Sequence, residues 1–523
     1  MRYAHLFGHT SGLPTHRREP TMSLECRPMN VGTTSLDPVP SQPATQPSGG
    51  VVAGLRHNTL SLFDTTAVAV ASVAPAYSIA ATVFLLVAAV GLASPAALIV
   101  SFLPVLFIAV AYYYMNRKDP NCGASYSWLA STVNPYLGWF NGWVQTAASV
   151  LFCIAAPVLA GVNTLALLQS FGWISASAAG SPGLTAVIGL GWLVLVTAMV
   201  VYGIRLTANF QWVMVGLEYL VVLSFSIAGL VRALSSHPVG SRAISLSWFS
   251  PTSIEGLTGL ASGAVLGVFF FWGWDTAANL NEESEDASLN PGRAGIISMF
   301  ILLIIFLVNV VAMQSLLPAH VISTQGGNAL FYFAHQLAPA PLDDLMLLAI
   351  LSSTVATTQT TLLPASRVTF SMARDGVFPK LFGAVHSRFL TPWLGTLALA
   401  LVSVIGIVIT TVSPTVNGTF TNLINNIGVL VAFYYGITGI ACFWAYRKVL
   451  TQSIWMFLLA GILPLVSGIF LFWVGYQVVV QAGLGPSMPI LVTFILGVPL
   501  VLLARILSHS DFFHKPSVVY GLN

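Results

Sequence analysis

The sequence predicts an all-α integral membrane protein with twelve transmembrane helices, and its composition and the length of its apolar segments carry the prediction. Of its 523 residues, 56% are hydrophobic and 7% are charged. A soluble domain carries roughly 25% charged residues, so this chain could not cover a water-facing surface. Its apolar segments last about 20 residues each, as membrane helices do, whereas the strands of membrane barrels are shorter and alternate in polarity.

Twelve apolar segments follow one another along the chain, and turn and breaker residues separate them. If both ends of the chain are cytoplasmic, 17 of the 19 Lys and Arg residues fall inside, and only Arg232 and Arg242 fall outside. Because cytoplasmic loops are enriched in basic residues, this bias supports twelve spans in a multi-pass protein of the plasma membrane. The segments cover residues 64–87, 92–115, 137–161, 184–203, 210–231, 256–280, 294–317, 343–366, 392–412, 422–445, 454–478 and 489–507.

The regions outside this bundle are polar. Residues 1–58 are rich in Pro, Ser, Thr and Gly, and we expect a disordered cytoplasmic N-terminal tail. Residues 59–510 then form the twelve-helix domain, and 511–523 form a cytoplasmic C-terminal tail. The four cysteines show neither a CxxC pair nor a histidine partner at zinc spacing. We therefore expect no metal site, no cofactor, no catalytic site and no nucleic-acid partner.

Two of the predicted spans contain residues that interrupt a helix. The first span includes SVAPAYSIAAT (72–82), in which Pro75 removes a backbone hydrogen bond. The sixth includes GVFFFWGWD (267–275), in which two glycines flank the aromatic residues. Counted in blocks of five, these spans begin two successive halves, and such matched breaks point to a transport site between inverted repeats. The alternative is a simple proline kink together with aromatic residues that pack a helix interface.

Breaks of this kind have a specific chemistry. The N-terminus of a half-helix presents free N–H groups and a positive dipole end, which suit a carboxylate. The C-terminus of a half-helix presents free carbonyls, which suit an ammonium group. A zwitterion would fit between two such breaks without any charged side chain. The aromatic residues Phe269, Phe270, Phe271, Trp272 and Trp274 would then enclose an apolar side chain.

At these residues the chain resembles the permeases of the amino acid–polyamine–organocation (APC) superfamily. The segments that carry the resemblance are DPNCGASYSWLASTVNPYLGWFNGW, FFFWGWD with the following NEESEDASLNPGRA, and SRVTFSMARDGVFPKLFGAVHSRFLTPW. The resemblance implies a LeuT-like fold with two inverted five-helix repeats, 62–234 and 254–448, plus two extra helices within 452–507. Two departures concern the site: APAYS stands where the family has a glycine-rich run, and Phe270 stands where it prefers a small residue.

The resemblance also implies roles for individual residues. Phe269, Phe270 and Phe271 would offer carbonyls to the substrate amine, next to Gly273, and Trp272 or Phe270 would act as a lid. The residues that would supply amides to the substrate carboxylate are Ala74, Pro75, Ala76, Tyr77 and Ser78.

Glu218 and Asp275 are acidic residues within predicted spans, where a carboxylate is costly and is a functional candidate. Some members of the family use a lysine at the position resembling Glu218 for proton coupling, and we expect Glu218 to bind the coupled proton. The alternative is a permanently protonated structural glutamate. We expect Asp275, with Trp274, near an Arg or Lys at the cytoplasmic gate.

A sodium site is the rival to proton coupling. The hydroxyl groups of Ser353 and Thr357 lie on neighbouring turns of span eight and could meet carbonyls of span one. Such hydroxyls also occur simply as helix-packing contacts, and that alternative remains open.

The predicted function is secondary active transport of amino acids, by proton-coupled uptake and alternating access. The aromatic walls favour a neutral or hydrophobic amino acid. A polyamine or other small amine transporter or exchanger is the alternative, with Glu218 as the counter-ion. The sequence shows neither the filter loop of a channel nor clustered catalytic residues of a membrane enzyme. We expect the acidic run from Glu282 to Asp286 to be a solvated loop that Arg374 and Asp375 fasten to the inner gate.

Overall fold

The computed structural model describes residues 54–521 except 413–415, and the side chains outside 412–421. Within that part of the chain the regular structure is helical, and no strand occurs. Ten helical segments are long and apolar enough to cross a membrane. The protein is therefore a multi-pass membrane protein, as its composition predicts.

The first half of the chain begins with an interrupted helix. The hydroxyl of Ser61 accepts the N–H of Asp64, and the Asp64 carboxylate accepts the N–H of Ser61, so a reciprocal capping box starts helix α1. A 3-10 turn, Gly91–Ala93, joins α2 to α3. The helices of this half are α1 Leu62–Val73, α2 Pro75–Val90, α3 Ser94–Lys118, α4 Ser125–Thr132, α5 Pro135–Ser170, α6 Ala176–Ala179, α7 Pro182–Tyr202 and α8 Ile204–Ser236.

The second half also begins with an interrupted helix. Its helices are α9 Gly256–Phe270, α10 Thr276–Asn279, α11 Asn290–Leu316, α12 Ala319–Thr324, α13 Ala329–Leu337, α14 Asp344–Arg374, α15 Trp393–Val412, α16 Val416–Tyr446, α17 Ile454–Met456, α18 Leu463–Ala482 and α19 Met488–Leu507. A π-helical turn, Phe457–Ile462, joins α17 to α18. Short 3-10 helices lie at Leu246–Phe249, Pro251–Ser253, Asn281–Glu283, Gly326–Asn328, Lys380–Gly383, Leu450–Gln452 and Asp511–His514.

Helix α14 runs through the interior of the bundle, whereas α19 lies at its edge. In the most apolar window of each helix, 89% of the α14 residues are buried but only 22% of the α19 residues. Helix α14 packs along α5 and α8 and also contacts α1 and α2. It is therefore placed to reach the interruption between α1 and α2 with its polar side chains.

Close helix contacts in the bundle depend on glycine. A Cβ on Gly161 of α5 would lie 2.2 Å from the carbonyl oxygen of Thr185, and one on Gly189 of α7 would lie 2.4 Å from that of Pro157. Helices α5 and α7 thus meet backbone to backbone, which is how small residues hold membrane helices together.

The chain after α19 lies against the bundle. Phe512 and Phe513 are buried. The Val518 N–H donates to the Ser131 carbonyl at 2.7 Å, and the Tyr520 N–H donates to the Ala445 carbonyl at 2.9 Å. Residues of the predicted C-terminal tail therefore cover the ends of α4 and α16.

Candidate functional site

The first helix interruption is a single residue wide. Ala74 adopts a left-handed conformation, with φ 51° and ψ 75°, and both ends α1 and precedes α2. Pro75 opens α2, where its missing N–H costs nothing. The Ser78 hydroxyl donates to the Val73 carbonyl at 2.6 Å. The carbonyl end of α1 and the amide end of α2 therefore converge on one point.

The second interruption separates α9 from α10 and touches the first. The Trp272 N–H donates to the Phe269 carbonyl at 3.1 Å, which closes the last turn of α9. Gly273 follows with φ 121°, and a Cβ there would lie 2.8 Å from both the carbonyl carbon and the oxygen of Ser72. Because glycine alone adopts this conformation freely and leaves room for the carbonyl, Gly273 lets the two interruptions meet.

A carboxyl group from α8 occupies the N-terminus of α2. Glu218 is fully buried, and its Oε1 accepts the Ala76 N–H at 2.6 Å and the Ser353 hydroxyl at 2.8 Å. The Tyr77 N–H donates to Ser353 Oγ at 3.0 Å. The second oxygen, Oε2, has no hydrogen-bond partner among the described residues. A carboxyl group is favoured here because the helix N-terminus is the positive end of its dipole.

Helix α14 holds both halves of the first broken helix. Ser353 contacts α2 as described, and one turn further along, the Thr357 hydroxyl donates to the Ser72 carbonyl of α1 at 2.7 Å. The structure thus brings both predicted sodium-site hydroxyls to the interruption. Each of them already has a protein partner there.

Asp275 lies beside the second interruption and is held by two tyrosines of α16. The Tyr435 hydroxyl donates to its Oδ1 at 2.8 Å, and the Tyr434 hydroxyl donates to its Oδ2 at 3.1 Å. Asp275 is buried and forms no ion pair within the described part of the chain. The expectation of a neighbouring Arg or Lys is therefore wrong. The sequence analysis did not identify these tyrosines as partners of Asp275 because they lie far from it along the chain. The one sequence feature that points to them is a pair of adjacent tyrosines within a span.

A small polar cavity lies where the two interruptions meet. It encloses about 10 Å³, which is room for about one water molecule. Asp275 is the one charged side chain among the residues that line it, and the others are mainly hydroxyl, amide and aromatic groups. The lining residues are Ser72, Gln145, Ser149, Trp272, Gly273, Asp275, Thr276, Thr361, Pro364 and Tyr434.

The aromatic residues of the predicted stack have different surroundings. Trp272 lines the cavity, and its indole N–H donates to the Tyr434 hydroxyl at 2.6 Å. Phe270 and Phe271 pack against Phe306 of α11, with ring centroids 5.0 and 5.4 Å away. Trp274 packs against a tyrosine of α3, with ring centroids 5.0 Å apart. Trp272 is therefore the aromatic residue of the motif that borders the cavity.

One end of the bundle is closed by ion pairs, and we call it the ion-pair end. Arg367 and Glu283 form a bidentate pair with both N···O distances 3.0 Å, and both side chains are buried. Arg374 pairs with Glu282 at 2.8 Å. Burial raises the pKa of Glu282, but hydrogen bonds from Arg374 and the charge of Arg374 more than offset this and hold it below its ordinary value. The prediction of a solvated acidic run is wrong for Glu283, while Asp286 is exposed.

The opposite end of the bundle contains wider cavities. One, of about 450 Å³, lies at the end of α2 and is lined by Trp248 and Glu255 among others. A second, of about 420 Å³, reaches Val265 and Leu266 of α9 and is also lined by Gln481. The polar cavity at the interruptions therefore lies between the ion-pair end and an end that contains wider cavities.

The bundle consists of apolar helices, and two interrupted helices meet at a buried polar cavity. This is the architecture of a membrane transport protein. The sequence profile of the amino acid permease family matches residues 60–498. The chain therefore belongs to the amino acid permease family, within the APC superfamily.

Curated relatives are transporters as well. The chain is 26% identical over 367 residues to a low-affinity putrescine importer of Escherichia coli strain K12, a match covering 68% of this chain and 74% of the importer. It is 28% identical over 390 residues to a methylthioribose transporter of Bacillus subtilis, covering 72% and 78%. It is 25% identical over 312 residues to a branched-chain amino acid permease of Lactococcus lactis, covering 57% and 64%. These relatives support transmembrane transport rather than enzymatic activity.

Proposed function

We propose that this protein is a secondary active transporter that takes up an amino acid or small amine across the plasma membrane, driven by protons and working by alternating access. The observation that carries the proposal is the meeting of two interrupted helices at a cavity whose charged side chain is Asp275. Carbonyls at the ends of half-helices and a carboxylate that has no ion-pair partner among the described residues together attract an ammonium group, which has donors and no acceptor.

Two of the three relatives described above support an amine-bearing substrate. Putrescine and branched-chain amino acids are named as the substrates of two of them, and both carry a protonated amine at neutral pH. The ammonium group would sit in the cavity against Asp275 and the Ser72 carbonyl. Trp272, which borders the cavity, would cover it.

The proposed topology has twelve spans arranged as two inverted five-helix repeats plus two extra helices. The segment Leu62–Lys118, with 57 residues, is long enough for two spans, and Gly256–Phe270 is an additional shorter apolar helix. With the remaining nine long segments these make twelve. Each interrupted helix then begins one repeat, as in transporters built from inverted repeats. The basic residues collect at the ion-pair end, so this end and both termini would face the cytoplasm.

Alternating access would open and close the two ends in turn. The pairs formed by Glu282 with Arg374 and by Glu283 with Arg367 join the segment after α10 to the end of α14. They would separate when the cavity opens to the cytoplasm. The wider cavities at the opposite end would admit substrate from outside.

Glu218 is the proposed proton-binding group. Its Oε2 is buried and has no hydrogen-bond partner among the described residues. This oxygen can therefore take up a proton without losing a hydrogen bond. Protonation would neutralise the carboxylate and weaken its attraction for the Ala76 N–H, and so would loosen α2. Sodium is the less favoured ion because the oxygens that would coordinate it already accept hydrogen bonds: Ser353 Oγ accepts the Tyr77 N–H, and the Ser72 carbonyl accepts the Thr357 hydroxyl.

Counterflow in proteoliposomes tests this proposal. Purified full-length protein is reconstituted into liposomes loaded with single unlabelled amino acids or amines, and entry of a labelled mixture is followed. We expect stimulation by one group of related substrates, and accumulation driven by an inward proton gradient but unaffected by replacing sodium with choline. Liposomes without protein are the control. If folded protein gives no stimulation with any amino acid or amine, the proposal is wrong.

A further inference from the structure

We infer that the transported substrate is an amine without an α-carboxylate, because the Glu218 carboxyl group of the protein occupies the helix terminus that would bind one. This inference rests on the proposed transport function and narrows its substrate class. It concerns the first interruption, at Ala74, and the cavity beside Asp275.

The N–H groups at the first interruption already donate hydrogen bonds to protein atoms. A substrate carboxylate would need the free N–H groups in the first turn of α2. Pro75 has no N–H, the Ala76 N–H donates to Glu218, and the Tyr77 N–H donates to Ser353. The Ser78 N–H donates to the Ala74 carbonyl at 2.8 Å. No donor in this first turn is left for a second carboxylate, which would also lie close to the carboxyl group of Glu218.

Some of the side-chain donors around the cavity are used in the same way. The Trp272 indole N–H donates to the Tyr434 hydroxyl, which in turn donates to Asp275. The Ser72 hydroxyl donates to Thr276 Oγ1 at 3.0 Å. Because the hydrogens of the Tyr434 and Ser72 hydroxyls point to protein atoms, these two oxygens have only lone pairs left to offer. Together with the Asp275 carboxylate, these two oxygens favour an ammonium group over a carboxylate.

The charge around the cavity has the same sign throughout. Asp275 is its charged lining residue, and the elements packed about it contribute Gln145 from α5, Thr361 from α14 and Tyr434 from α16. Within the described residues, none of the side chains that line the cavity is basic. A zwitterion would bring its carboxylate into a buried site that holds a carboxylate and no cation, and such a charge is costly to bury unpaired. A simple amine avoids that cost.

Matched pairs of competitors test the inference on the wild-type protein. The probe is labelled putrescine in counterflow, and the competitors differ in the α-carboxylate alone: putrescine against ornithine, agmatine against arginine, tyramine against tyrosine, and isobutylamine against valine. We expect the amine of the recognised pair to compete about tenfold or more better than its amino acid, because burying an unpaired carboxylate in the site is costly. An amino acid that competes as well as its amine would overturn the inference.

Substitution of Glu218 provides a second test. Glu218→Ala frees the Ala76 N–H, so the amine-to-amino-acid preference should fall severalfold as the helix end becomes available to a carboxylate. Glu218→Gln is the matched control, because its amide oxygen still accepts the Ala76 N–H and the preference should persist. A preference unchanged in folded Glu218→Ala protein would contradict the role of Glu218. If that variant does not fold, Ser353→Ala, which frees the Tyr77 N–H, should shift the preference in the same direction.

The experiments separate the two proposals. If neither member of any pair exchanges in liposomes containing folded protein, the transport proposal itself fails. If amino acids exchange and their amines do not, transport stands and the inference about the carboxylate is wrong.

Discussion

At the scale of single residues, Glu218 links three elements of the bundle. It projects from α8, accepts an N–H of α2 and accepts the hydroxyl of Ser353 from α14. One carboxyl group therefore holds a helix terminus in place, and any change in its charge acts directly on that terminus. A single conformation does not distinguish a structural glutamate from one that couples transport to protons. The effect of substituting Glu218 on transport does.

Glu218→Gln should abolish accumulation driven by a pH gradient while counterflow remains measurable. The amide keeps an acceptor for the Ala76 N–H but cannot bind and release a proton. The measurement is the ratio of internal to external labelled substrate under an inward proton gradient, and the variant should reach equal concentrations on both sides. Wild-type protein without a gradient is the reference, and undiminished accumulation by the variant would exclude a proton-coupling role for Glu218.

Asp275→Asn should weaken binding of a substrate amine by about 2–5 kcal/mol, the cost of removing one partner of a buried charge pair. The asparagine is nearly isosteric and can still accept a hydrogen bond from a tyrosine, so the loss would report the charge. The measurement is the concentration of amine that gives half-maximal counterflow. Tyr435→Phe, which removes one hydrogen bond to the aspartate, is the control and should cost only about 1 kcal/mol. Equal effects of the two substitutions would argue against an ammonium at Asp275.

At the scale of elements, the site depends on two interruptions that can approach each other. The first is one residue wide and the second is a turn of five residues, 271–275, between α9 and α10. Their contact passes through the Ser72 carbonyl and Gly273. A side chain at Gly273 would both strain the turn and push the interruptions apart.

Gly273→Ala should destabilise the protein and impair transport. The residue has φ 121°, and its added Cβ would lie 2.8 Å from the Ser72 carbonyl, so strain of about 1–3 kcal/mol is expected. Thermal unfolding in detergent and counterflow in liposomes measure the two effects. Gly191→Ala in α7 is the matched control, because its Cβ would meet nothing within 4 Å. If both variants behave like wild type, close contact of the interruptions is not required.

The sequence predicted the positions of these interruptions but not their partners. Proline cannot continue the hydrogen bonds of the preceding turn, so Pro75 located the first break to within one residue. Glu218 was recognisable because buried acids are rare in spans. That it binds Ala76, 142 residues away, depends on how α8 packs against α2, and local sequence does not encode this.

Errors of the sequence-based predictions have the same origin. Glu283 belongs to an acidic run that resembles a solvated loop, yet it is buried because Arg367, 84 residues away, neutralises it. Asp275 ends a half-helix and was expected to meet a basic residue, but tyrosines of α16 hold it instead. Local composition reports hydrophobicity and helix breakers reliably, whereas the partner of a buried charge is decided by tertiary packing.

At the scale of the whole molecule, the ion-pair end also contains a group of carboxylates. Asp119 follows α3, Asp375 follows α14, and the charge of Glu282 acts on both. Burial, and then the charge of Asp375, raise the pKa of Asp119 from 3.8 to about 6. Burial likewise raises the pKa of Asp375. The closed end therefore holds a proton more tightly than separated, solvated carboxyl groups would.

In the proposed transport cycle, this arrangement would make closure of the ion-pair end dependent on pH. Because the pKa of Asp119 is raised in the closed arrangement, its contribution to closure is fully present below its ordinary value of 3.8 and is lost as the pH rises through about 6. We expect opening to become about tenfold easier between pH 5 and pH 7, because over that window Asp119 loses its proton in the closed arrangement but is already ionised in the open one. In Asp119→Asn that part of the dependence should vanish, since the amide resembles the protonated acid.

Cys122 provides a natural probe of this opening. It is buried at the ion-pair end, where its N–H donates to Glu282 at 2.9 Å, so a membrane-impermeant maleimide should reach it only when that end opens. The rate of labelling, followed by mass spectrometry of the Cys122 peptide in vesicles that expose this end, is compared at pH 5 and pH 7. Comparing wild type with Asp119→Asn at each pH cancels the intrinsic pH dependence of the thiol. Identical pH profiles for the two proteins would show that Asp119 does not control closure, whereas a steeper wild-type profile would make the ion-pair end a proton-sensitive gate.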